Sequence, residues 1–293
     1  MSAPLPRPST PEPSAPKLLT ELSPPLAARG ARYTALTYGS YRLEFLLEPG
    51  DWMTDEELRA LKRDLDHVHQ GAKSKLSYGL FSPSIGLDGI RDFLRDANLC
   101  VMRTEGEAAG FFYNVILQRT PVPIIHAGLV MIARNKGAEL IAYPYLQMSL
   151  LQYRTYGAHY YTSITAVPFI IGQFADRYEK VWPSHKADQT RPPKEYLPIL
   201  EVLERQYIQR YFPEDTVDRK RFVLSPPTGE IAFEKDIRKL PRHPRLAVNL
   251  FCQFWLDYPR GDALIQIGRV GLRSLLQTRL YLLLLGVFKR PRS

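Results

Sequence analysis

The stretch IIHAGLVMIARNKGAE, residues 124–139, decides the fold. Its first ten residues form an apolar run rich in β-branched side chains, so the sequence predicts a strand there. A basic glycine turn follows at residues 134–137, and helical spacing then continues over residues 138–156. A strand that enters a helix through such a turn leaves unpaired backbone N–H groups at the helix start. The sequence therefore predicts an anion site here, strengthened by the charges of Arg134 and Lys136.

The elements predicted on either side of this stretch have an informative order. Upstream lie a strand, two helices and two further strands, predicted over residues 33–47, 54–70, 90–94, 99–104 and 109–118. Downstream lie a strand and a helix, predicted over residues 160–165 and 170–181. This order predicts an α/β (α+β) protein with a mixed central sheet flanked by helices.

Residues 34–183 resemble the GNAT (N-acetyltransferase) superfamily of acyltransferases. That family carries a cofactor motif, Q/R-x-x-G-x-G/A, between a strand and a helix. Here the segment RNKGAE, residues 134–139, matches its first and fourth positions, whereas Glu139 stands where the family has a small residue. A second segment, RYEKVWP at residues 177–183, resembles the family's L-Y-x-K-x-G-F run, with Trp-Pro in place of Gly-Phe.

The resemblance implies a donor site for an acyl-CoA thioester, acetyl-CoA or a longer acyl-CoA, with no metal. Strand backbone groups would hold the pantetheine arm, and amides of the turn would hold the pyrophosphate. The cofactor-binding residues implied in this way are Val130, Ile132, Ala133, Arg134, Asn135, Lys136, Gly137 and Ala138.

The resemblance also implies the reaction. An amine acceptor, either a small molecule or a peptide, would attack the thioester directly, and a strand N–H would stabilise the oxyanion. Tyr178 would be the acid for the leaving thiolate. His126 lies inside the strand and would be a base near the amine, with a core histidine as the alternative interpretation.

Two other functions stay open at this point. One is an N-acyl amino acid or acyl-lactone synthase, which shares the fold and takes longer acyl chains, sometimes from an acyl carrier protein. The other is a GNAT-like binding module without catalysis, which Glu139 favours because a carboxylate repels phosphate. Walker, G-x-S-x-G and zinc patterns are absent from the sequence, and no aromatic and basic strand surface indicates a nucleic-acid partner.

The chain divides into three predicted regions. Residues 1–30 are rich in Pro, Ser and Ala and predict a disordered tail. Residues 31–184 form the GNAT-like domain, and residues 185–293 form a partly helical C-terminal extension. Within that extension residues 246–257 and 263–270 are apolar but do not distinguish helix from strand, whereas a helix is predicted over residues 271–288.

Composition favours a cytoplasmic protein. Two cysteines, Cys100 and Cys252, are too few for a secreted disulfide scaffold and provide no metal site. No secretory signal is expected, and no apolar run reaches the length of a spanning helix. The formal net charge is +9, and no acidic residue follows Asp262. The leucine- and arginine-rich segment 269–292 therefore either packs on the domain or contacts an anionic membrane surface.

Overall fold

The computed structural model describes residues 32–72, 79–133, 142–186, 191–227 and 236–284. The predicted tail and the glycine turn, residues 134–139, lie outside the described residues.

Ten strands among the described residues form one sheet. They are β1 (Tyr33–Tyr38), β2 (Tyr41–Leu47), β3 (Ala97–Thr104), β4 (Glu107–Gln118), β5 (Ile124–Ile132), β6 (His159–Thr165), β7 (Glu179–Trp182), β8 (Thr216–Asp218), β9 (Val223–Ser225) and β10 (Ala263–Val270). Their order is β1-β2-β3-β4-β5-β6-β10-β9-β8, and β7 also pairs with β10. Every pair is antiparallel except β5 with β6, which is parallel. The predicted mixed sheet is therefore confirmed.

Seven helices flank this sheet in the described part of the chain. They are α1 (Asp55–Gly71), α2 (Leu87–Arg95), α3 (Ala142–Tyr156), α4 (Pro168–Arg177), α5, α6 (Leu246–Trp255) and α7 (Leu272–Leu284). Helix α5 begins as Leu197–Leu203, continues through a π-helical turn at Glu204–Ile208 and ends with Gln209–Tyr211.

A capping box, for which the sequence TDEE at residues 54–57 provides the residues, starts α1. The Thr54 hydroxyl accepts from the Glu57 amide at 3.3 Å, and the Glu57 carboxylate accepts from the Thr54 amide at 2.7 Å. These reciprocal bonds satisfy backbone donors that a helix start otherwise leaves unpaired. The leucines and valine on one face of this helix are all buried, namely Leu58, Leu61, Leu65 and Val68.

The helices form two layers, one on each face of the sheet. Helices α1, α2 and α5 cover one face, with α1 and α2 packed on Phe111 and Met131 and α5 packed on Ile265. Helices α3, α4, α6 and α7 cover the other face, where Leu264, the neighbour of Ile265, packs against α6. Side chains alternate along a strand, so these neighbours mark opposite faces.

Two predicted elements differ from the structure. The strand predicted over residues 33–47 is a hairpin that turns at Gly39, where φ is 60°, because apolar alternation continues on both sides of the turn. The helix predicted over residues 170–181 ends at Arg177, and the backbone of Tyr178 is extended. Val181 and Trp182 are then buried in β7, a run too short for its periodicity to separate strand from helix.

The C-terminal region contributes to the same sheet. Residues 246–257 contain helix α6, and residues 263–270 form strand β10, so the structure decides both ambiguous segments. Strand β10 lies between β6 and β9, inside the sheet. The region after residue 184 therefore completes the fold that begins upstream, and the helix predicted over residues 271–288 is present as α7.

Candidate active site

Strands β5 and β6 pair over a short distance and then separate. They pair in parallel at only three positions, which join Ile124 to Tyr160, Ile125 to Tyr161 and His126 to Thr162. Beyond them β5 continues along β4, and β6 continues along β10. A wedge therefore opens between the two strands, with its closed end at His126 and Thr162.

A bulge in β5 begins where the pairing with β6 stops. Tyr113 of β4 pairs with Leu129 and Asn114 pairs with Ala127, so Gly128 is an extra residue in β5. A Cβ on Gly128 would lie 2.2 Å from the Tyr113 ring, so a residue without a side chain is needed here. Because a bulge bends a strand and increases its local twist, it accounts for the direction in which β5 leaves β6.

The backbone of β5 beyond the bulge offers hydrogen-bonding groups to the wedge. The Ala133 amide donates to the Ala109 carbonyl on β4 at 2.9 Å. Alternate residues of an antiparallel strand point these groups in opposite directions, so Val130 and Ile132 direct theirs away from β4. Of the strand residues expected to hold a donor, Val130 and Ile132 thus direct backbone groups that bond to no other strand among the described residues, whereas the amide of Ala133 is already bonded. The other expected donor-site residues, 134–138, lie outside the described residues.

A small pocket adjoins the closed end of the wedge. It lies between α3, the end of α4 and α7. Its volume, including the part that is open to solvent, is about 260 Å³. Its polar lining comes from Tyr145, Ser149, Arg177, Tyr178, Ser274 and Thr278. The Tyr178 ring lies 5.0 Å from the ring of Tyr161, a residue paired with Ile125 at the closed end. The phenol of Tyr178 in this pocket therefore lies beside the closed end of the wedge.

The surroundings of Tyr178 favour its protonated form. Burial raises the pKa of its phenol to about 12, although the charge of Arg177 and a hydrogen bond with Ser149 act in the opposite direction. The Ser149 hydroxyl oxygen also lies 2.9 Å from the Tyr145 carbonyl, to which it donates its single proton when Tyr178 does not accept it, and this contact fixes its position on α3. At neutral pH the Tyr178 phenol keeps its proton and is able to give it to a base.

Arg177 adds a positive charge that the sequence analysis did not single out. Its Nε atom is buried and has no hydrogen-bond partner among the described residues. Its charge acts on three phenols and lowers the pKa that burial raises in Tyr145, Tyr161 and Tyr178. The sequence signal for this site was the RYEKVWP segment, but that segment says nothing of the serines on α3 and α7.

His126 lies on the other face of the sheet from Tyr178. It is 1% exposed, its Nδ1 is 2.9 Å from the Thr162 hydroxyl, and its ring packs 4.1 Å from the ring of Tyr207 on α5. Burial lowers the pKa of this imidazole to about 3. The structure does not bring the two expected catalytic side chains together, and the geometry of His126 fits the alternative of a core histidine.

The bulge provides a direct test of the wedge. Gly128→Ala is expected to lower the free energy of unfolding by about 1–3 kcal/mol, because the new methyl group meets the Tyr113 ring and carbonyl. Urea unfolding measures this loss. Gly71→Ala is a matched control, because its Cβ would come no closer than 3.5 Å to Ala133 and alanine favours the helix. Equal stability of the two variants would mean that β5 tolerates a side chain at the bulge.

The topology defines the class of fold. The sheet is antiparallel except for one strand pair, which is parallel and separates, and helices cover both faces. Together with the order of elements predicted from the sequence, this topology gives the chain a GNAT-like fold. Within the described ranges no three His, Cys, Asp or Glu side chains form a group that could hold a metal ion.

Comparisons with solved structures find acetyltransferases of low identity. Ribosomal-protein-S5-alanine acetyltransferase from Vibrio fischeri is 9% identical, with a TM-score of 0.36, over 80% of this chain and 95% of that one. A probable GNAT-family acetyltransferase from Chromobacterium violaceum is 17% identical, with a TM-score of 0.29, over 61% and 87% of the two chains. No protein-family profile and no curated protein matches the chain. The fold assignment therefore rests on the strand topology.

Proposed function

We propose that this chain transfers an acyl group from an acyl-CoA thioester to an amine. The observation that carries the proposal is the wedge between β5 and β6, with the backbone groups of Val130 and Ile132 that point away from β4 along it and Tyr178 beside its closed end. A pantetheine arm contains amide groups, so it can add to the free side of β5 as a further strand would. Its thioester would then lie toward the closed end of the wedge.

The reaction follows from these positions. The nitrogen of a neutral amine attacks the thioester carbonyl carbon, and a backbone N–H of β5 stabilises the oxyanion. The carbon–sulfur bond breaks, the acyl group stays on nitrogen, and the thiolate takes the proton of the Tyr178 phenol. The proton that the nitrogen releases passes to solvent, from which Tyr178 is reprotonated. His126 is left out of this proposal because it faces the opposite helical layer.

The pyrophosphate part of the proposal rests on the sequence. The turn residues Arg134 to Ala138 include two of the family's three defined positions, and the helix that follows them would add its dipole. Glu139 opposes phosphate binding in the same segment.

Thermal unfolding of the full chain with acetyl-CoA and with a long-chain acyl-CoA, at fixed salt, tests the proposal. A donor at a hundredfold excess over its dissociation constant is expected to stabilise the fold by about 2.7 kcal/mol. Gly137→Glu is expected to abolish this shift by placing a second carboxylate in the turn. Gly86→Glu adds the same charge where a new Cβ has open space, so it is the matched control.

The two alternatives give different results in the same experiment. If the acyl chain is longer and contacts Leu146, Val270 and Leu275 beside Tyr178, the long-chain thioester would stabilise the fold more than acetyl-CoA. A binding module without catalysis would show the shift but no product. No shift with either thioester would contradict a CoA donor, and an acyl carrier protein would then be the donor to test.

A further inference from the structure

Two C-terminal helices expose apolar stripes to solvent. On α6 the exposed residues are Leu246, Leu250 and Phe254, and on α7 they are Leu272, Leu276 and Leu280. Each set has the spacing i, i+4, i+8, which aligns its side chains along one side of a helix. Every one of the six is more than half exposed, and Phe254 reaches 83%. Such stripes mark a surface that binds another apolar surface.

The two stripes face the same side of the molecule. Helices α6 and α7 both pack against α4, through Val248 and Cys252 of α6 and through Leu275 of α7. All three helices lie in one layer on the sheet, so their outward sides share one solvent face. Between the stripes α4 exposes Phe169 and Ile170. We call these eight apolar residues on α4, α6 and α7 the outer face.

The charges around the outer face are mainly positive. Arginine side chains flank the stripes, namely Arg242 and Arg245 before α6 and Arg273 and Arg279 on α7, and all four residues are exposed. Helix α6 contains no charged residue, and no acidic residue occurs beyond Asp262 in the sequence. Asp176 on α4 is bonded to both Lys186 and Arg245, and Asp257 lies just beyond the end of α6.

We propose that the outer face docks on an anionic phospholipid membrane. Leucine and phenylalanine stripes flanked by arginine are the composition of helices that lie in a membrane interface. The arginine stems can extend along the apolar layer while their guanidinium groups contact lipid phosphates. A second copy of this chain would instead bring like charges together, which costs free energy.

This docking differs from membrane insertion. No described helix is long and apolar enough to cross a bilayer. Helix α7 also lines the Tyr178 pocket with Ser274, Leu275 and Thr278 on its inner side. Docking would place that pocket one helix away from lipid, but the proposal for the outer face stands without the proposal for acyl transfer.

Co-sedimentation of the full chain with vesicles tests the docking. The chain is expected to bind vesicles that contain phosphatidylserine, and to bind pure phosphatidylcholine vesicles much more weakly. The double variant Leu250→Glu, Leu276→Glu is expected to lose at least about tenfold in partitioning. Arg273→Gln and Arg279→Gln should each cost about fivefold, the contribution of one basic residue near an anionic surface.

Leu197→Glu is the matched control, because Leu197 is a helical leucine of 37% exposure on the opposite layer. It should bind vesicles as the unmodified chain does, and all variants should keep their urea midpoints. The proposal would be overturned if vesicle binding did not depend on phosphatidylserine, or if the double variant bound vesicles as well as the unmodified chain does. So would self-association in solution that the double variant removes, because the outer face would then be an interface between copies.

Discussion

Tyr178→Phe is expected to lower kcat for acyl transfer about a hundredfold, while KM for the thioester changes little. The substitution removes the phenol proton that the leaving thiolate takes. It keeps the ring, which packs 4.6 Å from Phe174 and 5.0 Å from Tyr161, so the fold should be unaffected. Steady-state kinetics with the thioester that stabilises the chain most measures the loss of kcat. Thermal unfolding shows whether the substitution also affects the fold.

A neighbouring tyrosine provides the control. Tyr145 lines the same pocket and stacks on Phe112 at 4.2 Å, but the proposal gives its hydroxyl no role in the reaction. Tyr145→Phe should therefore change kcat only a few-fold. A thioester whose thiol is a better acid should recover much of the loss in Tyr178→Phe, because its thiolate needs less help to leave. Equal losses in both variants, with no such recovery, would contradict the role of Tyr178.

The pH dependence follows from the pKa of Tyr178. A general acid acts in its protonated form, and burial raises the pKa of this phenol to about 12. The acceptor amine must be neutral to attack, so kcat/KM should rise with pH until the amine is deprotonated. No fall caused by Tyr178 is expected below about pH 11, whereas an unshifted phenol would begin to lose activity near pH 9.

The sequence predicted much of the fold because its signals are local. The capping box at Thr54 needs only residues within one helical turn, and the apolar run that became β5 is long enough to exclude a loop. The glycine turn after that run lies outside the described residues, so the donor site that it predicts stays a prediction. These features depend on neighbouring residues along the chain, which a single sequence displays.

The remaining features depend on contacts between distant residues. Gly128 forms a bulge because the Tyr113 ring occupies the space of its side chain. His126 is buried because Tyr207 covers it from a helix far along the chain. Alternation in a strand shows that two faces exist, but it does not show which helix covers each face. For the same reason, the sequence pattern did not predict the position of β10 in the sheet.

Arg103→Met is expected to lower the free energy of unfolding by about 3–5 kcal/mol, because it leaves a buried carboxylate without its main partner. The Arg103 guanidinium donates to Glu44 at 2.8 Å and to Asp64 at 2.5 Å, which ties β3 to β2 and to α1. The side chains of Arg103 and Glu44 are only 3% and 1% exposed. In the variant Glu44 would keep an ion pair with Arg42, whose side chain is 50% exposed and therefore well hydrated.

A double variant distinguishes the buried charge from lost packing. Adding Glu44→Gln to Arg103→Met removes the unpaired carboxylate. The double variant should therefore lose less free energy of unfolding than the two single variants lose together. Urea unfolding gives the free energies, provided that the slope with denaturant stays constant. Arg238→Met is the control, because its side chain is 81% exposed and solvent screens its pair with Asp236. If Arg103→Met cost no more than Arg238→Met, the buried ion pair would not be what holds α1 against the sheet.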